Sequence, residues 1–217
     1  MARDGRLYVG TSGWAYKHWA AGRFYPQGLR PSEWLGYLAE RFPTVEVNSS
    51  FYRLPSESMV QRWCDLTGPQ FRFAVKLWRL ITHRKRLIDC REPLGVFLAV
   101  AKTFGRKRGP LLVQLPPSMH KDLPRLERFL DDLRAAMGRT TWRLAVEFRH
   151  PSWADDQTTA LLDAHRAALC LADMPSCPFT EPGQADFIYI RRHGPGGRYR
   201  GRYSPRHIAA DAQRIRT

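Results

Sequence analysis

The sequence contains no apolar run close to the ~20 residues that cross a bilayer, so it predicts no transmembrane helix. Its start, Met1 to Gly5, lacks the apolar core of a signal peptide. The four cysteines are widely spaced and form no CxxC pair, which argues against a zinc knuckle, a redox pair or a disulfide framework. We therefore expect a cytoplasmic protein with reduced thiols, in which Cys170 is a small buried residue of a strand.

Lysine is also scarce, since it supplies only six of the 35 basic residues. The net charge is nevertheless +15, with basic clusters at His83–Arg86, Arg106–Arg108 and Arg198–Arg202. A surface this positive predicts polyanionic partners, nucleic acid first. The other interpretation, an arginine-rich genome composition, stays open because charge balance bears on nonspecific association more than on function.

Nucleotide-binding signatures are missing, because no GxGxxG or Walker motif follows any predicted strand. Seven short apolar runs instead predict seven strands, and most precede a stretch with helical periodicity. The runs are Leu7–Gly10, Val45–Val47, Phe71–Val75, Leu111–Leu115, Leu144–Val146, Leu169–Ala172 and Phe187–Ile190. The helical stretches are Pro31–Phe42, Ser56–Asp65, Glu92–Phe104, Leu123–Met137 and Asp156–His165.

Strands that alternate with helices of this length form parallel sheets. Polar residues at nearly every strand end favour a barrel, because such barrels carry their chemistry there. We therefore predict an α/β fold, a TIM-type (β/α) barrel that forms a single domain over residues 1–217. Ser204-Pro205 predicts one more helix, with Ile208, Ala212 and Ile215 on an apolar stripe, but no eighth strand follows. We expect that the chain lacks the last strand through C-terminal trimming, or that something else closes the gap.

Side chains alternate along a strand, so residues two apart share a face. If the bulky apolar set faces the helices, the opposite set lines the barrel. The predicted lining comprises Gly10, Ser12, Glu46, Asn48, Lys76, Gln114, Glu147, Arg149, Asp173, Arg191 and His193. We expect these groups to converge on one hollow.

Several motifs occur in order at the same positions: Gly10-Thr11-Ser12-Gly13-Trp14, Val45–Pro55, Gln114–Pro117, Glu147–His150 with Ser152-Trp153, and Arg191 with His193-Gly194. From about Leu7 to its end the chain resembles the YecE-like family, domain of unknown function 72. The resemblance implies a TIM-type barrel, usually intracellular, whose activity is not settled. Family members are similar in continuing into a final strand that ends in Asn and Asp, which this chain lacks. If that strand helps to build the pocket, the site here is incomplete.

Two predicted lining glutamates, Glu46 and Glu147, could divide acid and base roles. Lys76 would be their electrostatic partner rather than a Schiff-base nucleophile. Arg149, Arg191 and His193, with room beside Gly194, could hold a phosphate or carboxylate. The structural alternative is a neutralised ion network that plugs the barrel.

A divalent metal held by Glu46, Glu147, Asp173 and His193 is a further alternative, although no HxH or HExxH spacing fixes two ligands together. Aromatic rings frame the same end and suit sugars or stacked bases. They are Trp14, Trp19, Phe51, Tyr52, Trp153 and Tyr199, of which Trp19 and Phe51 are better explained by packing. The stretch Arg198–Tyr203 alternates phosphate-binding and base-stacking types, or is a solvated loop.

Together these features predict a hydrolase that acts on an anionic, ring-containing substrate: a phosphorylated sugar, a nucleotide or nucleic acid. Glu46, Glu147 and Lys76 are the predicted catalytic residues. The predicted substrate-binding residues are Ser12, Trp14, Asn48, Tyr52, Gln114, Arg149, Trp153, Asp173, Arg191, His193 and Tyr199. A non-catalytic nucleic-acid-binding protein and a metal-dependent sugar isomerase or lyase remain as alternatives. The sequence identifies no certain cofactor and no oligomeric state.

Overall fold

The computed structural model describes residues 5–140, 142–176, 179, 181–197 and 199–216, without the side chains of residues 214 and 216. Contacts divide the chain into two compact units. The first comprises Met1–Val113 and Pro124–Leu144, and the second Gln114–Leu123 and Ala145–Thr217. Cys177 and Arg198, which the sequence analysis considered, lie outside the described residues.

The first unit contains parallel strands that pair in chain order. They are β1 (Gly10–Ser12), β2 (Thr44–Val47), β3 (Arg72–Lys76) and β4 (Arg108–Gln114), whose last residue belongs to the second unit. The helices that follow the strands are α1 (Trp34–Ala39), α2 (Ser49–Tyr52), α3 (Glu57–Asp65), α4 (Arg91–Ala101) and α5 (Leu123–Met137), with a π-helical turn at Leu80–Arg84.

The second unit contains β5 (Leu144–Glu147), which begins at the unit boundary, then β6 (Ala167–Ala172) and β7 (Tyr189–Arg191). Parallel pairing places Cys170 opposite Tyr189 and Ala172 opposite Arg191. Its helices are α6 (Asp156–Ala164) and α7 (Pro205–Arg216). The predicted alternation of strands and helices is therefore confirmed in both units, whereas the closed barrel and the single domain stay predictions.

Helix α5 buries an apolar face of the kind that helical periodicity predicts. The buried residues of α5 recur at spacings of three and four positions: Leu126, Phe129, Leu130, Leu133 and Met137. Asp155 opens α6, because its side chain accepts hydrogen bonds from the N–H and hydroxyl of Thr158. Cys170 is buried in β6, as predicted.

The first and last strands differ from their predicted bounds. The run Leu7–Gly10 predicted a strand, but β1 begins at Gly10, and Leu7 and Val9 are 59% and 55% exposed. Gly10 approaches β2 so closely that a Cβ there would lie 2.1 Å from the Thr44 carbonyl oxygen. The last strand begins at Tyr189 rather than Phe187, and Ile188 is 52% exposed. Apolar character marked these segments, but the hydrogen-bond register sets their ends.

The helix predicted after Ser204-Pro205 is present as α7. Arg192 forms an ion pair with Asp211 on this helix. The predicted apolar stripe is exposed within the second unit, with Ile208 at 60% and Ile215 at 41%. Within the described part of the chain, none of the helices combines the length and apolar character that crossing a bilayer needs.

Candidate functional site

In the first unit, three predicted site residues form one hydrogen-bonded group at the carboxyl ends of β1 and β2. Ser12 lies opposite Glu46 in the parallel register. The Ser12 hydroxyl donates to Oε1 of Glu46 at 2.7 Å, and the Asn48 side-chain amide donates to the Ser12 hydroxyl. Glu46 is buried and Ser12 is exposed, so the group connects a buried carboxylate with the surface.

Lys76 ends β3 and is buried, with its Nζ 4.0 Å from the centre of the Phe51 ring. This geometry is a cation–π contact. Tyr52 follows Phe51 and is 67% exposed. Trp14 instead packs edge-on against Trp63, with ring centres 5.2 Å apart.

The second unit contains a buried ion cluster centred on Glu147, whose side chain has no exposed surface. Arg149 Nε donates to Oε1 of Glu147 and Arg191 Nη1 donates to Oε2, both at 2.6 Å. Glu147 ends β5, Arg149 lies two residues later, and Arg191 ends β7, so strand ends position all three. Charge-assisted hydrogen bonds of this length hold both guanidinium groups in fixed orientations.

His193 lies between the two arginines and Asp173. Its Nε2 is 3.1 Å from Arg149 Nη2 and 3.2 Å from Arg191 Nη1. Because guanidinium groups only donate, Nε2 must accept, and the ring proton is assigned to Nδ1, 3.2 Å from Asp173 Oδ1. Burial lowers the pKa of His193 and outweighs the opposing effect of Glu147, the next largest influence. The geometry and the pKa shift both favour neutral imidazole.

Asp173 is fixed by further contacts. Its Oδ1 accepts the backbone N–H of His193 at 2.6 Å, and its Oδ2 accepts the Tyr203 hydroxyl. Burial, followed by the hydrogen bond to Asp173, raises the pKa of Tyr203 to about 12. The Tyr203 oxygen also accepts the Gly194 N–H at 2.6 Å. Sequence reasoning placed Tyr203 only in the basic loop and missed this role, because no local spacing links residues 173 and 203.

Tyr199 connects the buried cluster with the protein surface. Its hydroxyl accepts from Arg149 Nη1 at 3.1 Å, its ring meets His193 edge-on at 5.0 Å, and it is 68% exposed. Its φ of 57° is unusual for an aromatic residue. The predicted room for a ligand beside Gly194 is wrong: a Cβ on Gly194 would lie 2.5 Å from the Arg200 carbonyl oxygen, so the chain itself occupies that space.

Two other predicted contacts are buried. Gln114 donates its amide to the Leu115 carbonyl. Trp153 has no exposed surface, stacks on Phe148 at 4.6 Å and donates its indole N–H to the Met119 carbonyl at 2.7 Å. The substrate contact predicted for Trp153 does not fit a side chain that is enclosed in this way. Packing explains this residue better.

The predicted convergence of Glu46 and Glu147 joins residues of the two units and stays a prediction. Asp173 and His193 do lie together, next to Glu147, but arginines occupy the positions around Glu147 that a cation would need. No group of three or more His, Cys, Asp or Glu side chains in the described ranges has a metal-binding arrangement.

These features define an α/β protein with ionisable groups gathered at the carboxyl ends of parallel strands. A family model described as "Protein of unknown function DUF72" matches residues 8–217, and the chain belongs to this family. The resemblance seen in the sequence motifs is therefore confirmed.

Among curated relatives, the chain is 30% identical over 148 residues to "UPF0759 protein YecE" of Escherichia coli K12, which covers 68% of this chain and 50% of the relative. It is 25% identical over 179 residues to "UPF0759 protein YunF" of Bacillus subtilis 168, covering 78% and 61%. The chain thus spans about half the length of the first of these relatives.

Solved structures of the family share the fold. A DUF72 family protein from Thermotoga maritima MSB8 matches with a TM-score of 0.78 and 29% identity, covering 96% of this chain and 85% of that one. A DUF72 family protein from Enterococcus faecalis V583 matches with a TM-score of 0.70 and 22% identity, covering 82% and 78%. The match to the Enterococcus faecalis protein, at 22% identity, concerns the fold alone.

Proposed function

We propose that the second unit binds an anionic molecule that contains a planar or sugar ring, such as a phosphorylated sugar or a nucleotide. The observation that supports this proposal is the continuous path from Glu147 through Arg149 to Tyr199. Arg149 Nε donates to the Glu147 carboxylate, which has no exposed surface, and Arg149 Nη1 donates to the hydroxyl of Tyr199, which is 68% exposed. The exposed ring can stack on the substrate while the guanidinium edge binds its anionic group.

In this proposal Glu147 orients the arginines and transfers no proton, because both of its oxygens accept from guanidinium groups. The whole protein would be a hydrolase of such a molecule, and Glu46 would keep the predicted acid–base role. One Glu46 oxygen accepts from the Ser12 hydroxyl at 2.7 Å. The TIM-type barrel and the cytoplasmic location belong to the same proposal.

The binding step is tested by measuring the thermal stability of the purified chain against inorganic phosphate, a nucleoside monophosphate and a sugar phosphate. We expect ring-bearing phosphates to stabilise the chain more than inorganic phosphate does. Tyr199→Ala should abolish that difference, whereas Arg149→Lys should weaken all three ligands, since lysine lacks the planar guanidinium group that would bind the anionic group.

Arg206→Gln is the matched control, because it removes one exposed positive charge from the same unit, on α7. Equal effects of Arg206→Gln and Arg149→Lys on ligand binding would contradict the proposed binding site. Hydrolysis is tested separately with a panel of phosphodiesters, phosphomonoesters and glycosides. An activity that Glu46→Gln leaves unchanged would contradict the role given to Glu46.

A further inference from the structure

The first unit exposes an aromatic ring on a rigid base. Tyr52 ends α2 and is 67% exposed, while the preceding Phe51 is buried. The two rings meet edge-to-face, with centres 5.0 Å apart and planes at 88°. A solvent-facing ring supported by a buried one offers a stacking surface that needs little ordering on binding.

Basic groups gather around the same buried ring. The His83 ring meets the Phe51 ring edge-on, with centres 4.8 Å apart. His83 and Arg84 are the last two residues of the π-helical turn. Lys76 Nζ is 4.0 Å from the Phe51 ring centre. Because Tyr52 and His83 contact the same side chain, the exposed Tyr52 and the π-helical turn are close neighbours on the part of the surface around Phe51.

Two exposed arginines leave positive charge on this surface. Arg53 follows Tyr52 directly and Arg84 follows His83, and both are exposed. In the portion of the chain that the structure describes, neither forms an ion pair with a carboxylate. Uncompensated arginines beside an exposed aromatic ring are typical of surfaces that bind single-stranded nucleic acid.

The position in the fold agrees with a binding role. Helix α2 follows β2, and the π-helical turn follows β3, so both lie at the carboxyl end of the parallel strands of this unit. π-Helical turns occur frequently at functional sites. By contrast Arg106 precedes β4 and lies at the amino end of the same strands.

We propose that the surface formed by Tyr52, Arg53, His83 and Arg84, here called the Tyr52 surface, binds single-stranded nucleic acid without strong sequence preference. A base stacks on Tyr52, and the phosphates beside it contact Arg53 and Arg84. This interaction goes beyond the ligand proposed for the second unit and involves none of its residues.

The test is fluorescence anisotropy of a labelled oligothymidylate with the full chain over a range of salt concentrations. Loss of one base stack should weaken binding by about 5-fold to about 150-fold in Tyr52→Ala, while Tyr52→Phe should bind within about twofold of the original chain. The pair Arg53→Gln and Arg84→Gln should lower the slope of log affinity against log salt by about 0.7 for each lost phosphate contact.

Arg106→Gln is the control, since it removes an exposed arginine at the opposite end of the strands. Far-UV circular dichroism of every variant verifies folding, and the arginine variants retain a test if Tyr52→Ala does not fold. Equal binding by Tyr52→Ala and the original chain would overturn the proposal.

Discussion

Replacing Glu147 by Gln tests whether the buried cluster stabilises the second unit. The substitution keeps the shape of the side chain but removes the charge that two guanidinium groups share at 2.6 Å each. It also turns one acceptor oxygen into an NH₂ donor that faces an arginine donor. Arg149 and Arg191, which are 8% and 9% exposed, would retain positive charge with little access to water.

Removing one partner of a buried ion pair costs about 3–5 kcal/mol, because the remaining charge is left uncompensated. Glu147 has two such partners, so we expect a loss of free energy of unfolding at the upper part of that range, about 4–5 kcal/mol. For a chain of this size, this corresponds to a decrease in Tm of roughly 8–20 °C. The loss is large against the typical total of about 5–15 kcal/mol.

Urea denaturation followed by far-UV circular dichroism measures the change, and a thermal scan provides an independent value. Glu181→Gln is the control, because Glu181 is an exposed glutamate of the same unit, and it should change stability by less than about 0.5 kcal/mol. A loss for Glu147→Gln below about 1 kcal/mol would refute the reasoning. It would mean that the arginines lie in a more solvated environment than their burial indicates.

Two further predictions concern stability. Since burial lowers the pKa of His193 below 6.5, the unfolded chain binds a proton at a pH where the folded chain does not. The free energy of unfolding is then greatest above pH 6.5 and falls as the pH drops from 6.5 to the lowered pKa, by up to about 1.4 kcal/mol per pH unit. Urea denaturation at several pH values should show that this free energy depends less on pH in His193→Gln. An equal dependence on pH would contradict the assignment. Lys107 donates to the carbonyls of Cys64 and Thr67 at the end of α3, so Lys107→Met should cost about 2–3 kcal/mol in urea denaturation, whereas the same loss in the exposed Lys102→Met would indicate a general effect.

Local pattern was sufficient for much of the fold. The 3.6-residue period predicts a helix over Leu123–Met137, and the buried residues of α5 follow that period, because a helix in contact with a core buries only one stripe. Strand parity was less informative. In β5 every residue from Leu144 to Glu147 is buried, so alternation could not separate a lining face from a packing face.

The contacts within the site were beyond local pattern. The sequence placed Glu147, Arg149, Arg191 and His193 at strand ends, and the structure brings these four together. The sequence could not indicate that Glu147 binds both arginines, because that contact depends on side-chain geometry across two strands. Strand ends are also nonlocal properties: β1 begins where Gly10 pairs with Thr44 of β2, and the apolar run Leu7–Gly10 does not reveal that pairing.

The two proposed sites differ in their charge. In the cluster of the second unit, Glu147 and Asp173 balance Arg149 and Arg191 when His193 is neutral, so the net charge of +15 must originate elsewhere. Exposed arginines such as Arg53 and Arg84 contribute to it. Salt screens exposed charges far more than buried ones. Binding at the Tyr52 surface should therefore weaken steeply with salt, whereas binding of a ring-bearing phosphate at Arg149 and Tyr199 should change much less. If both ligands showed the same salt dependence, and the double variant Arg53→Gln with Arg84→Gln bound neither, one basic surface would bind both.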